Sequence, residues 1–262
     1  MARFPRIPDL LTTANLACGV GSILLASQGQ LTWACWLVFA GALFDVFDGL
    51  AARALGGGTP LGAQLDSLAD MVTFGVAPAF LLFRQGTLLA GNVLIPEEFA
   101  HLPYPNARNP LWPTMAATVI LVICSCWRLA KFNLDTRQSS GFLGLPTPAN
   151  GLFWVSVTAV SAGVAVHPGP GDIAFVEMVR TLLANPYALL GLSMIFGALM
   201  LSELPLPSLK FKHFKWKGNE VVFLLLGIGL VLVVLYGVLA VPLILVLYLL
   251  SPWWGRFFPK VL

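Results

Sequence analysis

The feature that most constrains the fold of this chain is a series of long apolar stretches separated by shorter polar ones. A helix that spans a bilayer needs about 20 mostly apolar residues, because the hydrocarbon core is ~30 Å thick and offers the backbone no water. Candidate spans occur at roughly residues 10–26, 31–55, 61–83, 111–130, 150–166, 186–202, 221–239 and 242–254. We divide the last two near Val241–Pro242, since one helix of more than about 30 residues would be too long to span.

Composition supports the membrane interpretation. Of the 262 residues, 58% are hydrophobic and only 10% are charged, whereas soluble domains carry about 25% charged residues. The first apolar stretch lacks a small-residue cleavage site followed by a polar mature chain, so we interpret it as a membrane helix rather than a signal peptide. The sequence therefore predicts an all-α integral membrane protein with about eight transmembrane helices.

The distribution of basic residues predicts the orientation. With eight spans, 12 of the 15 Lys and Arg residues fall on the side of the N-terminus. Because loops rich in Lys and Arg stay in the cytoplasm, both termini are predicted to be cytoplasmic, in a prokaryotic plasma (inner) membrane. A run of basic residues interleaved with aromatic ones predicts an interfacial loop before the last two spans; its lysines are Lys210, Lys212, Lys215 and Lys217.

Four aspartates are concentrated at the predicted cytoplasmic ends of the second and third spans. Asp45 and Asp48 are three residues apart and Asp66 and Asp70 are four apart, so each pair shares a helix face. The segment between the pairs, residues 54–61, contains three glycines and a proline and predicts a turn. The chain is therefore predicted to form a helical hairpin in which the two acidic pairs face each other.

Small residues accompany these carboxylates. Gly49 follows Asp45 by one helical turn, Ala52 follows Asp48, and Gly62 precedes Asp66. Each leaves room beside a carboxylate for a bulky group, and Arg53 adds a long cationic side chain at the helix end.

Converging carboxylates at a membrane surface favour metal-assisted chemistry. Four of them cannot all stay ionised without cations, and Mg²⁺ prefers oxygen ligands combined with substrate phosphates. Bound ions of this kind stabilise charge during transfer at a diphosphate, and one carboxylate can take a proton from an attacking hydroxyl. The alternative, salt-bridged packing between helices, is disfavoured because Arg53 is the only cation in the hairpin.

This segment resembles the complete signature of the CDP-alcohol phosphatidyltransferase family, with all eight fixed positions at the family spacing. These positions are Asp45, Asp48, Gly49, Ala52, Arg53, Gly62, Asp66 and Asp70. The resemblance implies that the first three aspartates ligate a pair of Mg²⁺ or Mn²⁺ ions, and that Asp70 also approaches the metals and acts as the general base. It implies further that Gly49, Ala52 and Gly62 border the CDP moiety, with Arg53 on its phosphates.

Other segments resemble the phosphatidylserine synthase branch of that family. They are residues 7–12 with Asn15 and Gly19, residues 65–79, residues 128–133 and residues 144–149. The chain departs from the branch at Asp9, where Asn is usual, and at Lys131, where Arg is frequent. The similarity covers about residues 5–210, so we predict a membrane domain at 1–210, whose first six helices form the family core. Residues 211–262 are then a basic cytoplasmic loop and a two-helix extension.

The branch implies transfer of a phosphatidyl group from CDP-diacylglycerol to the hydroxyl of L-serine, with release of CMP. Serine brings a carboxylate, which requires a cation. Arg128 and Lys131, with Asn133 close behind, are the candidate acceptor site, although they also serve as topology determinants. The expected partners are the two substrates, the bilayer and a second copy of the chain, because family members are commonly homodimers; no nucleic acid is expected.

Three alternatives remain open at this stage. The acceptor can be glycerol 3-phosphate, inositol phosphate or choline, although a phosphorylated acceptor would need a denser cationic pocket. An intramembrane prenyltransferase also uses acidic motifs and Mg²⁺, but its motifs normally lie on widely separated helices. A cation transporter would need acids near the bilayer midplane and a path on both sides.

Overall fold

The computed structural model describes residues 6–91, 110–134, 142–163, 170–206 and 220–254. Within these ranges the fold consists of α-helices, two short π- and 3₁₀-helical turns and one pair of two-residue strands. The helices are α1 (Ile7–Ser27), α2 (Leu31–Ala54), α3 (Pro60–Asp70), α4 (Ala77–Leu89), α5 (Trp112–Leu134), α6 (Thr147–Ser161), α7 (Pro170–Ala184), α8 (Pro186–Leu201), α9 (Glu220–Tyr236) and α10 (Ala240–Trp254). The strands are β1 (Phe142–Leu143) and β2 (Pro205–Leu206), paired antiparallel.

The helices confirm an all-α integral membrane protein. Five helical stretches of the described chain are long and apolar enough to cross a bilayer, or six if the bent pair α7 and α8 counts as one span. The five are α1, α2, α3 with α4, α5, and α9 with α10. Large apolar side chains such as Trp33, Leu43 and Val234 lie on the outer surface, where lipid rather than water is their natural solvent. The number of eight spans stays a prediction, and the basic run at 210–217 lies outside the described residues.

The predicted turn joins α2 to α3. Gly56 and Gly57 have φ angles of 89° and 109°, which only glycine adopts readily. The Thr59 side chain then caps α3 by accepting a hydrogen bond of 2.9 Å from the Gly62 amide, and Pro60 occupies the first helical position. Helix α1 packs along both α2 and α3, so the acidic end of this unit is built by three helices rather than two.

A π-helical turn, Met71–Val76, connects α3 to α4 without a break in the helix. Neighbouring helices approach this turn closely because they carry glycine there. A Cβ atom on Gly19 of α1 would lie 2.8 Å from the Cα of Thr73, and one on Gly151 of α6 would lie 2.6 Å from the carbonyl oxygen of Phe74. The turn is therefore the point at which α1, α2, α5 and α6 meet the central helix.

Helix α7 was not predicted from the sequence. Only Asn185 separates it from α8, and the axes of the two helices are bent by 94°. The Asn185 side chain accepts hydrogen bonds from the amides of Tyr187 and Ala188, which starts α8 in a new direction. Helix α7 is short and carries Glu177 and Arg180, so its composition does not resemble that of a spanning helix.

The last two helices form a tight hairpin. Gly237, with a φ of 55°, begins a short 3₁₀ turn through Leu239, so the predicted break near Val241–Pro242 lies a few residues too late. The two arms run side by side, since a Cβ atom on Gly229 would lie 3.5 Å from Cδ1 of Ile244. Because α10 also packs against α6 and β2, the hairpin is attached to the rest of the protein.

Replacing Gly151 by alanine is expected to destabilise the fold. The added methyl group would collide with the backbone at Phe74, and overpacking of this kind costs about 1–3 kcal/mol. The apparent melting temperature in detergent should fall by several degrees. Gly191→Ala is the matched control, because nothing lies within 4 Å of a Cβ atom there. Equal melting temperatures for the two variants would contradict the close packing at the π-helical turn.

Candidate functional site

Three of the four signature aspartates converge at one point. Asp45 and Asp48 extend from α2 and Asp66 from α3, and each offers a carboxylate oxygen within 4.8 Å of those of the other two. Asp48 is only 7% exposed. Like charges this close in a partly buried place repel strongly, so the arrangement requires protons or a cation.

The fourth aspartate, Asp70, lies at the end of α3 and is 8% exposed. The charges of Asp45, Asp66 and Asp48 all act on its carboxyl group. Mutual repulsion of buried carboxylates favours a proton on one of them. A bound cation is the alternative that would let both ionise.

Helix α1 supplies polar contacts that the sequence interpretation did not assign. The Thr12 hydroxyl donates a hydrogen bond of 2.6 Å to Oδ2 of Asp48, and the Asn15 amide nitrogen donates one of 3.4 Å to Oδ1 of Asp70. Thr73 in turn donates to the Asn15 carbonyl oxygen at 2.9 Å. Thr12 and Asn15 were noted only as part of the family resemblance. The signal available in the sequence was their spacing of three residues, which places two polar side chains on one face of an otherwise apolar helix.

A cavity of about 490 Å³ opens beside the aspartates. Asp48 and Asp66 lie in its wall, together with the small signature residues Gly49, Ala52 and Gly62. This volume falls in the range of small-molecule sites. Three of the four positions predicted at the CDP moiety therefore line one cavity, while Arg53 is not among its lining residues.

Gly49 leaves free space in this wall. A Cβ atom added there would meet only Nη1 of Arg53, at 3.7 Å, which is ordinary contact. No atom of the described chain therefore explains why this position is so small, and the space is available to a ligand. Arg53 is exposed and its guanidinium lies beside Gly49, where it can reach a bound anion.

The three acceptor candidates do not form one group. Arg128 is buried and interacts electrostatically with Asp70. Asn133 is exposed and its amide nitrogen donates a hydrogen bond of 2.9 Å to the Ser67 hydroxyl of α3. Lys131 is exposed at the end of α5. Arg128 is therefore the candidate whose charge acts on Asp70, whereas Asn133 joins α5 to α3 by a hydrogen bond.

The donor set fits a hard divalent cation. It consists of carboxylate oxygens from Asp45, Asp48 and Asp66, with Asp70 adjacent. Hard cations such as Mg²⁺ and Mn²⁺ prefer oxygen ligands of this kind. These carboxylates could therefore hold a metal ion beside the cavity.

The comparisons with known proteins agree with this geometry. The family model described as CDP-alcohol phosphatidyltransferase matches residues 6–253. A protein of Helicobacter pylori strain J99 is 30% identical over 86% of this chain and 81% of its own length. One of Bacillus subtilis strain 168 is 28% identical over 82% of this chain and 94% of its own length. Both are named CDP-diacylglycerol–serine O-phosphatidyltransferase.

An archaeal relative carries a related name. A protein of Methanothermobacter thermautotrophicus named archaetidylserine synthase is 33% identical over 55% of this chain and 54% of its own length. The family match continues through α9 and α10, while the division of the chain at residue 210 stays a prediction. With the signature, the converging aspartates and a match over nearly the whole chain in agreement, this protein belongs to the CDP-alcohol phosphatidyltransferase family.

Proposed function

We propose that this protein is a metal-dependent CDP-diacylglycerol–serine O-phosphatidyltransferase, which makes phosphatidylserine and CMP. The observation that carries the proposal is the convergence of Asp45, Asp48 and Asp66 beside a cavity, in a chain of this family. The names of its relatives in Helicobacter and Bacillus support serine as the acceptor. The same chemistry with glycerol 3-phosphate, inositol phosphate or choline is the competing assignment.

The donor substrate occupies the cavity. Gly49, Ala52 and Gly62 leave room for the CDP moiety in its wall. Arg53 approaches the diphosphate and balances part of its charge. The acyl chains remain in the bilayer, since the site is built at the ends of membrane helices.

Asp45, Asp48, Asp66 and Asp70 would hold two divalent ions, Mg²⁺ or Mn²⁺. When bound, such ions neutralise the diphosphate and stabilise the charge that develops as its bridging bond breaks. Thr12 and Asn15 fix the carboxylates of Asp48 and Asp70 in place through their hydrogen bonds. Preorganised ligands avoid the cost of reorganising at the moment of reaction.

The reaction is a single displacement at the phosphatidyl phosphorus. Asp70 accepts the proton of the serine hydroxyl as the serine oxygen forms its bond to phosphorus. The bond from phosphorus to the bridging oxygen breaks, and CMP leaves with that oxygen. Arg53 lies where it can stabilise the charge on the leaving group.

Arg128 binds the carboxylate of serine on the side of Asp70. Arg128 is buried, and the charge of Asp70 acts on it. A serine carboxylate bound to Arg128 would therefore bring the serine hydroxyl towards the general base. Lys131 and Asn133 lie further out on the same helix end.

The active site and both termini face the cytoplasm in a prokaryotic inner membrane, and the enzyme works as a homodimer.

Asp70→Asn is expected to lower serine-dependent CMP release from CDP-diacylglycerol by about 100-fold or more, because a general base contributes about 10²–10⁴-fold. The measurement is initial-rate CMP release by purified protein with Mg²⁺ or Mn²⁺. Glu177→Gln is the control, since this side chain is 63% exposed on α7. Full activity in Asp70→Asn would rule out its role as base.

Gly49→Ala is expected to raise the KM for CDP-diacylglycerol about tenfold, because the methyl group enters the space proposed for CDP. The protein itself has room for it, so the melting temperature should not change. Gly191→Ala serves as the control on both readouts. An unchanged KM would remove Gly49 from the donor site.

Wild-type protein is expected to release CMP with L-serine and not with glycerol 3-phosphate, inositol, inositol phosphate or choline. Each acceptor is compared at the same CDP-diacylglycerol and metal concentration. Release with another acceptor alone would keep the catalytic mechanism and overturn serine as the substrate. No release with any acceptor, in protein shown to be folded, would count against the enzyme proposal itself.

A further inference from the structure

A side-chain hydrogen bond joins α3 to α5 beside the aspartates. The amide nitrogen of Asn133 donates to the Ser67 hydroxyl at 2.9 Å, and the amide oxygen of Asn133 lies 3.1 Å from the same hydroxyl. The Ser67 hydroxyl also lies 3.2 Å from the carbonyl oxygen of Ala63, one turn back on α3. A hydroxyl has one proton and two lone pairs, so Ser67 can accept from Asn133 while it donates to Ala63. We call this contact the Ser67–Asn133 bridge.

The same face of α5 also contacts the central helix, which runs without a break from α3 through the π-helical turn into α4. Ser125, Leu129 and Asn133 are spaced by four residues, so they share one face of α5, and Leu129 is 7% exposed. A Cβ atom on Gly75, in the π-helical turn, would lie 3.2 Å from the Cβ of Ser125. Helix α5 therefore meets the central helix at two levels, at Gly75 and at Ser67.

These two contacts define the register between the helices. Ser125 and Asn133 are eight residues apart on α5, and Ser67 and Gly75 are eight residues apart on the central helix. The later residue of one helix contacts the earlier residue of the other, so the two helices run antiparallel. Eight residues span about 12 Å at 1.5 Å per residue, so the two contacts match in spacing on both helices.

The register places Arg128 near the level of Asp70. Asp70 follows Ser67 by three residues, which brings it level with the position three residues before Asn133. Arg128 is two residues from that position, or about 3 Å along the helix axis. Asp70 is 8% exposed and Arg128 is 5% exposed. A shift of α5 along α3 would therefore change the separation of two buried groups to which the proposed reaction assigns roles.

We propose that Ser67 and Asn133 are positioning residues for the acceptor substrate: their hydrogen bond holds α5 in register with α3, so that Arg128 and Asp70 receive the two ends of the acceptor. This inference rests on the proposed function, in which Arg128 binds the serine carboxylate and Asp70 accepts the hydroxyl proton. Serine is short, and a displacement of about 1 Å in such a site can cost about 10²-fold in rate. Asn133 then acts through α5 and does not touch serine itself.

The test compares Ser67→Ala, Asn133→Ala and the double variant with the matched control Gln64→Ala, which removes an exposed side chain from the same helix. The values of kcat and of KM for serine and for CDP-diacylglycerol are measured from CMP release, with the melting temperature of each variant. Each single bridge variant should lower kcat/KM for serine about three- to tenfold, because one hydrogen bond is lost. The KM for CDP-diacylglycerol should stay unchanged, because α1, α2, α3 and the turn between α2 and α3 line the donor cavity.

The double variant separates the bridge from a direct contact with serine. If both residues act through the bridge, the double variant lowers kcat/KM for serine no further than either single variant. Ser67→Thr keeps the hydroxyl and should recover most of the activity that Ser67→Ala loses.

Two results would overturn the inference. One is a loss confined to Asn133→Ala, with Ser67→Ala equal to Gln64→Ala, which assigns Asn133 to direct contact with the substrate. The other is a fall in the melting temperature of the bridge variants with an unchanged kcat/KM for serine, which assigns the bridge to stability alone.

The wild-type assay distinguishes failure of this inference from failure of the proposed function. If wild-type protein releases CMP only with another acceptor, serine is the wrong substrate, and the same variants are compared by kcat/KM for that acceptor. An equal loss in both single variants and the double variant supports the positioning role there, and no loss overturns it. Wild-type protein that releases CMP with no acceptor removes the proposed function and this inference together.

Discussion

The site depends on the close approach of helices at the π-helical turn Met71–Val76. Gly19 and Gly151 allow α1 and α6 to lie against the backbone of this turn, where any side chain would collide. Asp70 directly precedes the turn, and the Asn15 carbonyl receives a hydrogen bond from Thr73 within it. Because interiors are close-packed and rigid, the position of the fourth carboxylate follows from the packing of helices that carry no catalytic group themselves.

The carboxylates are held against their own repulsion. Four acids within a membrane protein are costly, and two of them, Asp48 and Asp70, are largely buried. Thr12 and Asn15 each donate a hydrogen bond to one of these two, which favours the ionised form and fixes its direction. Such a site is not optimal for stability, and a divalent cation would stabilise both the site and the fold by binding the native state alone.

Different parts of the chain build the two sides of the proposed reaction centre. Helices α1, α2 and α3 form the cavity for the donor, with Gly49 and Gly62 in its wall. Helix α5 supplies the buried Arg128, whose charge acts on Asp70, to the proposed acceptor side. The family match covers α5 and continues through α9 and α10.

The sequence by itself determined the membrane class, the turn between α2 and α3, and the acidic pairs, since these follow from local composition and helical spacing. It placed the break between α9 and α10 a few residues late and missed α7, because short helices with charges do not resemble spans. The hydrogen bonds that Thr12 and Asn15 of α1 donate to Asp48 and Asp70 became visible only in the folded protein. These contacts join residues far apart in the chain, and no local pattern encodes which helix faces pack together.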